Sequence, residues 1–503
     1  MRHILIAAAL ALASCTSSVS YSPDSALVAN YEPFLTLTGE ITRADHQTYR
    51  ELPFVVPRDI TRLKVEFSYD KENRTVIDLG LRDPQGQRGW SGGNKSIFYV
   101  GSTDATPSYK PGRLQEGEWK LILGIPNIRE GQTAKYRATI TFNTPGPEHF
   151  QHDDYPVMVE VLSDKAGWYR GDFHTHTAHS DGSCDVDGVR EPCPPRETFY
   201  AARDAGLDFV AVTDHNTITQ RDSFFRQGIE NLLLVPGTEI TTFHGHANVI
   251  GNTDFLDFQL GSPRLPTLTK LLDQADAAGA FVSVNHPGLP SGEICMGCGW
   301  TVKDTDWSRV TAIEVANGSS LRQGGPAAGL RFWDNLLQQG HRLTAIGGSD
   351  NHDAKDRTGA KQPPIGYPTT AVYSSDLSTR GIIEGVKSGR VFIDLANMPG
   401  ATLDVGAQVG SQTVWMGGTI LLAPKQRFTV GATTSGLPAD AKLTLIAHNL
   451  TVIGDARTQL DDASGAMPIG LMPEATRGYL RYEVRDSSGK ILMIGNPIYV
   501  AAR

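Results

Sequence analysis

Apolar and polar residues alternate over short runs in the first third of the chain, at Phe34-Leu35-Thr36-Leu37, Leu63-Lys64-Val65-Glu66-Phe67, Trp119-Lys120-Leu121-Ile122-Leu123 and Tyr136-Arg137-Ala138-Thr139-Ile140. A period near two sends successive side chains to opposite faces of a strand. Turn residues divide the runs, as at Asp83-Pro84-Gln85-Gly86 and Pro111-Gly112. No long helical period competes with them. Residues 22–145 are therefore expected to form a β-sandwich of jelly-roll type. The stretch from Thr144 to Pro156 carries three prolines and a glycine and reads as a linker, extended here to 146–167.

Beyond the linker the pattern changes. Compact apolar runs at 208–213, 232–236, 280–284, 311–316, 342–346 and 369–373 alternate with helical stretches at 197–205, 268–278, 328–339 and 379–387. Repeated strand–helix units imply a parallel sheet or barrel over 168–397. Alternating runs return at 426–430, 442–446, 479–484, 491–494 and 498–501, so 398–503 is expected to be a small β-domain. The predicted class is multidomain, α/β plus β.

Composition agrees with this outline. The chain has 503 residues, too many for a single ordinary core, and its 52 Gly and 29 Pro suit a loop-rich globular protein. A formal net charge of −9 argues against binding duplex nucleic acid, which calls for a basic stripe. At the N-terminus, Arg2 and His3 precede an apolar run from Ile4 to Leu12 that is too short to span a bilayer. Leu12-Ala13-Ser14-Cys15 resembles the bacterial lipobox, which implies lipidation at Cys15 of an exported protein. Residues 1–20 are accordingly expected to be signal and tether. Thr16 after the cysteine favours the outer membrane, facing the periplasm, with the lipid as the only membrane contact. A plain signal peptide cleaved nearby is the alternative. Four cysteines remain, Cys184, Cys193, Cys295 and Cys298. In an exported protein they point to two disulfides, with local pairing closing the smaller loops, against the rival of one structural zinc site.

The chemistry is concentrated at the ends of the predicted barrel strands. His174-Thr175-His176 places two imidazoles on one face of an extended segment, and Asp181 follows in the next loop. Thr213-Asp214-His215, Gly237-Thr238-Glu239, His244-Gly245-His246, Asn285-His286-Pro287 and Gly348-Ser349-Asp350-Asn351-His352 end or follow later strands. One buried histidine is ordinarily structural. So many imidazoles and carboxylates at one barrel mouth require neutralisation by metal.

Taken together, and in this order between residues 174 and 352, these motifs resemble the PHP family, named for its polymerase-associated and histidinol-phosphatase members. The resemblance implies a distorted (β/α)7 barrel and two or three divalent ions. It places His174, His176 and Asp350 on one ion, Glu239 as a bridge to a second with His246 and His286, and Asp181, His215 and His352 on a third. His244 is the alternative to His246. The mixed ligands suit Zn²⁺, Mn²⁺ or Fe²⁺. Asp214 either orients ligands or caps the next turn, and His179 is a candidate proton donor against a solvated loop position. Arg170, Lys355 and Arg357 are candidate phosphate contacts, with solvated surface charge as the alternative.

Three functions are compatible with this pattern. A metal-dependent phosphoesterase acting on a small ester comes first. A sandwich followed by such a barrel also looks like the branch that contains carbaryl-type carbamate hydrolases, with Trp90 in the sandwich part of that likeness, so a carbamate or carboxylic ester hydrolase is the second. An envelope-anchored binding protein is the third, and a complete ligand set argues against it. Arg or Lys beside the metals would favour phosphate, and an apolar wall the neutral carbonyl. The inserts at 184–195 and 295–300 follow ligand-bearing strand ends and are expected to frame the pocket.

Overall fold

The computed structural model describes residues 34–143, 161–226, 229–293, 295–323, 325–452 and 467–503. The expected signal segment with Cys15, and most of the expected linker, lie outside them.

Two four-stranded antiparallel sheets make the N-terminal unit. One has the order Phe34–Thr42, Thr133–Phe142, Arg62–Tyr69, Ile97–Gly101, and the other Thr48–Val56, Gly117–Asn127, Val76–Asp83, Gly86–Gly92. The alternation works as expected: Leu63, Val65 and Phe67 are buried, while Lys64 and Glu66 between them are partly exposed. Trp119, Leu121, Leu123 and Ile140 complete the core between the sheets. Trp90 does not belong to that core. It packs outward, with Ile122, against Ile240 and Phe258 of the following unit. Tyr49 stacks on Phe243 with ring centroids 4.7 Å apart. One face of the sandwich is thereby fastened to the central unit by aromatic contact.

The central unit is a curled mixed sheet. Its strand order is Thr344–Gly348, Ala312–Asn317, Phe281–Val284, Gly245–Ile250, Leu233–Thr242, Phe209–Val212, Gly167–Asp172, Thr369–Ser374, Val391–Asp394. The expected parallel pairing holds from Gly167–Asp172 through Phe209–Val212 to Leu233–Thr242, and from Phe281–Val284 through Ala312–Asn317 to Thr344–Gly348, but Gly245–Ile250 between them runs antiparallel to both of its neighbours. Thr369–Ser374 and Val391–Asp394 also run antiparallel to their neighbours. A regular strand–helix repeat is thus interrupted twice. Pro236-Gly237 reads as a strand end, yet the strand continues through it to Thr242. Gly237 serves close packing there, since a Cβ would come within 3.1 Å of both Ile250 and Thr213.

Side chains tie the edge strand Thr344–Gly348 back to Thr369–Ser374 and Val391–Asp394. The Thr370 hydroxyl accepts from the Gly347 N–H and donates to the Gly347 carbonyl, each at 2.8 Å. Asn496 accepts from the Ala345 N–H at 2.7 Å and donates to the carbonyls of Ala345 and Val391 at 2.9 Å. Helices Pro195–Asp204, Leu268–Ala277, Ala327–Gln338 and Thr379–Ser388 match the helical periods. The last is capped by Ser378, whose hydroxyl accepts from Gly381 N–H, and ends at Gly389 with φ 76°.

Two of the flanking expectations change. Val161–Ser163, within the expected linker, is a strand paired with Leu377–Ser378. The C-terminal region is not a detached β-domain. Its strand Ile491–Gly495 pairs with Val391–Asp394, and Arg477–Arg485, Ile498–Ala502, Thr419–Leu422 and Lys442–His448 extend the same sheet. A separate five-stranded sheet packs beside it. No helix among the described residues is long and apolar enough to cross a membrane.

Candidate metal centre

Backbone pairing sets the ligands side by side. The Asp350 N–H donates to the His174 carbonyl at 2.8 Å, and the His176 N–H to the Asn351 carbonyl at 2.9 Å. The two motifs with ligands two residues apart therefore run parallel and adjacent. Thr213 N–H donates to the Thr175 carbonyl, and Glu239 N–H to the Thr213 carbonyl, which brings in the next two strand ends. Gly348 makes the approach possible, because a Cβ there would collide with that of His174. Asp350 and His286 have φ of 54° and 30°, in a region side chains seldom adopt, and such strain is concentrated at functional positions.

Glu239 is fully buried at the centre. Its Oε1 lies 3.3 Å from His174 Nε2, 3.4 Å from His286 Nε2 and 3.5 Å from His246 Nδ1. Its Oε2 lies 2.8 Å from His215 Nδ1 and 3.5 Å from His176 Nε2. Asp350 Oδ1 is 3.3 Å from His174 Nε2 and 3.1 Å from His176 Nε2. Asp181 Oδ1 is 3.3 Å from His352 Nε2 and 3.6 Å from His215 Nε2.

Three groups with converging ligand atoms result: His174, His176 and Asp350; His174, Glu239 and His286; and His176, Asp181, His215 and His352. Every residue assigned from sequence to the first and third ions is brought together with its group, and His176 stands between the two. His246 stands outside the three groups, although it too is buried beside Glu239. Its Nδ1 faces Glu239 while its Nε2 lies 3.3 Å from the Met296 carbonyl. His244 is held by backbone bonds to Thr301 and Thr242, outside these groups.

Four buried atoms, His174 Nε2, His176 Nε2, Asp181 Oδ1 and Glu239 Oε2, have no hydrogen-bond partner among the described residues. They approach opposite charges without hydrogen-bond geometry. Buried polar atoms left in this way at one point fit divalent cations. On protein charges alone, burial opposes the charged form of His174, but Asp350, Glu239 and Glu314 outweigh it and raise its pKa well above the ordinary value. Burial likewise opposes charge on His215 and His352, yet the carboxylates lift them to about 9 and about 10. His176 is pushed down to about 3, first by burial and then by His352 and His215. Burial would raise Glu239 and Asp181, but the surrounding imidazoles hold both well below the usual carboxylate range.

A supporting layer fixes these rings. Glu314 Oε1 lies 2.9 Å from His174 Nδ1, which directs Nε2 inward, and its Oε2 accepts from the His286 N–H at 2.8 Å. Asn285 donates to Glu239 at 2.8 Å, and Asn317 to Asp350 at 3.2 Å. The His286 ring is oriented by the Cys298 carbonyl, 2.8 Å from Nδ1. Asp214 accepts from the Thr177 N–H and the hydroxyls of Thr177 and Ser180, so it braces the ligand loop. Such partners set ring orientation and ligand basicity. Glu314 and Asn317 were not singled out from sequence. The signal for Glu314 is a lone charge inside the apolar run 311–316.

The other candidates are not members of the three groups. His179 is buried, not solvated, with Nδ1 2.7 Å from the Thr219 hydroxyl. Arg170 is paired with Asp394 at 2.6 Å, and Arg357 bonds to the Glu197 carbonyl and faces Asp204. Lys355 is exposed. Cys184 is bonded to Cys193 and Cys295 to Cys298, so the four cysteines form two local pairs and not a zinc site.

No family model matches the chain. Solved structures similar to the chain include a two-domain protein from Bacteroides vulgatus described as containing a predicted PHP-like metal-dependent phosphoesterase, and a candidate metal-dependent phosphoesterase from Bifidobacterium adolescentis. The first is 20% identical with a TM-score of 0.36, covering 70% of this chain and 99% of its own. The second is 17% identical with a TM-score of 0.27, covering 39% and 92%. TM-scores this low carry no argument about fold or activity. The uncharacterised protein MJ1587 of Methanocaldococcus jannaschii is 30% identical over 161 residues, 29% of this chain and 81% of its own. By that identity over most of the relative's length, the chain belongs to the family of MJ1587.

Proposed function

We propose that the protein is a metal-dependent hydrolase of the PHP type, and that its substrate is a small phosphoester. The observation that carries this reading is the convergence of His174, His176, Asp181, His215, Glu239, His286, Asp350 and His352 in three overlapping groups, with His246 3.5 Å from Glu239. Two or three ions of Zn²⁺, Mn²⁺ or Fe²⁺ suit this donor set. When bound, they supply Lewis acidity, lowering the pKa of water and stabilising charge that develops on a substrate oxygen. The chain's own contribution is orientation. Glu314, Asn285, Asn317 and the Cys298 carbonyl hold the donors, and the site is closed behind by buried strands.

A carbamate or carboxylic ester hydrolase is the second reading. It rests on the order of the units, a sandwich followed by the metal-binding unit, with Trp90 of the sandwich packed on Phe258 of that unit at a ring-centroid distance of 4.7 Å. Export as a lipid-anchored envelope protein belongs to the same proposal. The two disulfides support an oxidising compartment.

Metal analysis of the purified protein, with a screen of p-nitrophenyl phosphate, bis-p-nitrophenyl phosphate and 1-naphthyl methylcarbamate, tests the reading. Two or three ions per chain and turnover of a phosphate ester are expected. Carbamate turnover alone would select the second reading. No ion and no turnover with added Mn²⁺ or Zn²⁺ would sink both.

A further inference from the structure

The sandwich reaches the loop that carries Asp181, through Lys95 and Ser108. The Lys95 Nζ donates to the carbonyl of Ser180, the residue before the ligand Asp181, and to the Ser108 hydroxyl, each at 3.0 Å. Ser108, also from the sandwich, is fully buried with φ 92°. Its hydroxyl donates to the His179 carbonyl, its N–H to the Thr219 hydroxyl, and its own carbonyl accepts from Thr217. Lys95 is thus held rigidly against the 174–182 loop by a strained, fully bonded neighbour.

The ammonium occupies an unusual place for a structural charge. Both of its acceptors are neutral, and among the described residues no carboxylate lies in ion-pair contact with it. It is half-buried. Burial lowers its pKa to about 8, and the nearby charges of Asp214 and Asp181 only partly oppose this. A cation so placed is costly unless something supplies the missing negative charge. The metal centre does not: its three ligand carboxylates carry less charge than two or three divalent ions. A bound anion would.

We propose that Lys95 is a substrate contact which binds an anionic oxygen of the phosphoester, so that the active site is shared between the sandwich and the metal-binding unit. This rests on the hydrolase reading above and narrows it to anionic substrates. It adds to the candidate cations Arg170, Lys355 and Arg357, the first and last of which are paired with Asp394 and Asp204, a cation that sequence spacing did not reveal.

The test is calorimetric binding of inorganic phosphate to the full-length, Mn²⁺-loaded protein, wild type against Lys95→Gln and Lys95→Arg, with metal content measured in each. The expected result is unchanged metal content, phosphate binding weakened by about tenfold or more in Lys95→Gln, and recovery in Lys95→Arg. Equal phosphate affinity in Lys95→Gln overturns the proposal, as does a metal-loaded wild type that takes no phosphate. Loss of metal from Lys95→Gln also overturns it, since Lys95 would then only brace the Asp181 loop. Should Lys95→Gln fail to fold, Lys95→Arg decides, and a charge-retaining variant unable to bind phosphate refutes the assignment. Phosphate-ester turnover by the wild type tests the underlying reading separately. An active phosphoesterase indifferent to Lys95 overturns this assignment alone.

Discussion

Glu314 sits in the strand Ala312–Asn317, every residue of which is buried, and touches no converging ligand group except through His174 and the His286 backbone. Its value is directional. A carboxylate on Nδ1 holds the His174 tautomer that leaves Nε2 for metal. Glu314→Gln keeps the shape but removes the anionic acceptor. Metal titration should show affinity reduced by about 10- to 100-fold with the thermal transition of the metal-free protein little changed; equal affinity would refute the role. At this scale most ligands were legible because they are polar residues just past the ends of apolar runs, although Glu239 and His246 lie within strands. The supporting residues were less so. A carboxylate within an apolar strand is a signal, but what it pairs with depends on His174, far away in sequence. Lys95 gave no signal at all, since only the docking of the sandwich carries it to Ser180.

The segment Cys295–Cys298 shows what an element can add. Its carbonyls, Met296 at 3.3 Å from His246 Nε2 and Cys298 at 2.8 Å from His286 Nδ1, face the two histidines expected on one ion. The disulfide within it limits how these carbonyls can move. Reduction, or the double change Cys295→Ser and Cys298→Ser, should lower metal affinity by about tenfold, read as ions retained per chain after dialysis against a weak chelator. Retention equal to that of the oxidised protein would show that the loop is only a brace. The insert was visible in the sequence as a Cys-x-x-Cys after a ligand-bearing strand. The hairpin of Leu233–Thr242 and Gly245–Ile250 was not, because Pro236-Gly237 carries a turn signature inside a buried strand. Local turn chemistry gave way there to close packing.

At the scale of the whole molecule, order along the chain and order in space diverge. Short alternating runs announced both flanking β regions, yet composition could not show that the C-terminal strands continue the central sheet. Asn496 marks the junction, with its amide satisfying two backbone groups of Ala345 and one of Val391. Asn496→Ala would leave these buried groups unpaired. A loss of about 2–5 kcal/mol is expected, measured from denaturant unfolding, and a change within error would contradict the closing role. That closure also has a consequence in time. A chain grows from its N-terminus, so His174 and Asp350 are made long before the amide that secures the sheet edges beneath them. Until residue 496 has been added, the Ala345 and Val391 backbones lack the amide that ties them together. With metal bound as proposed, a chain truncated before residue 496 is expected to retain fewer ions than the full chain after dialysis against a weak chelator, and equal retention would contradict the link.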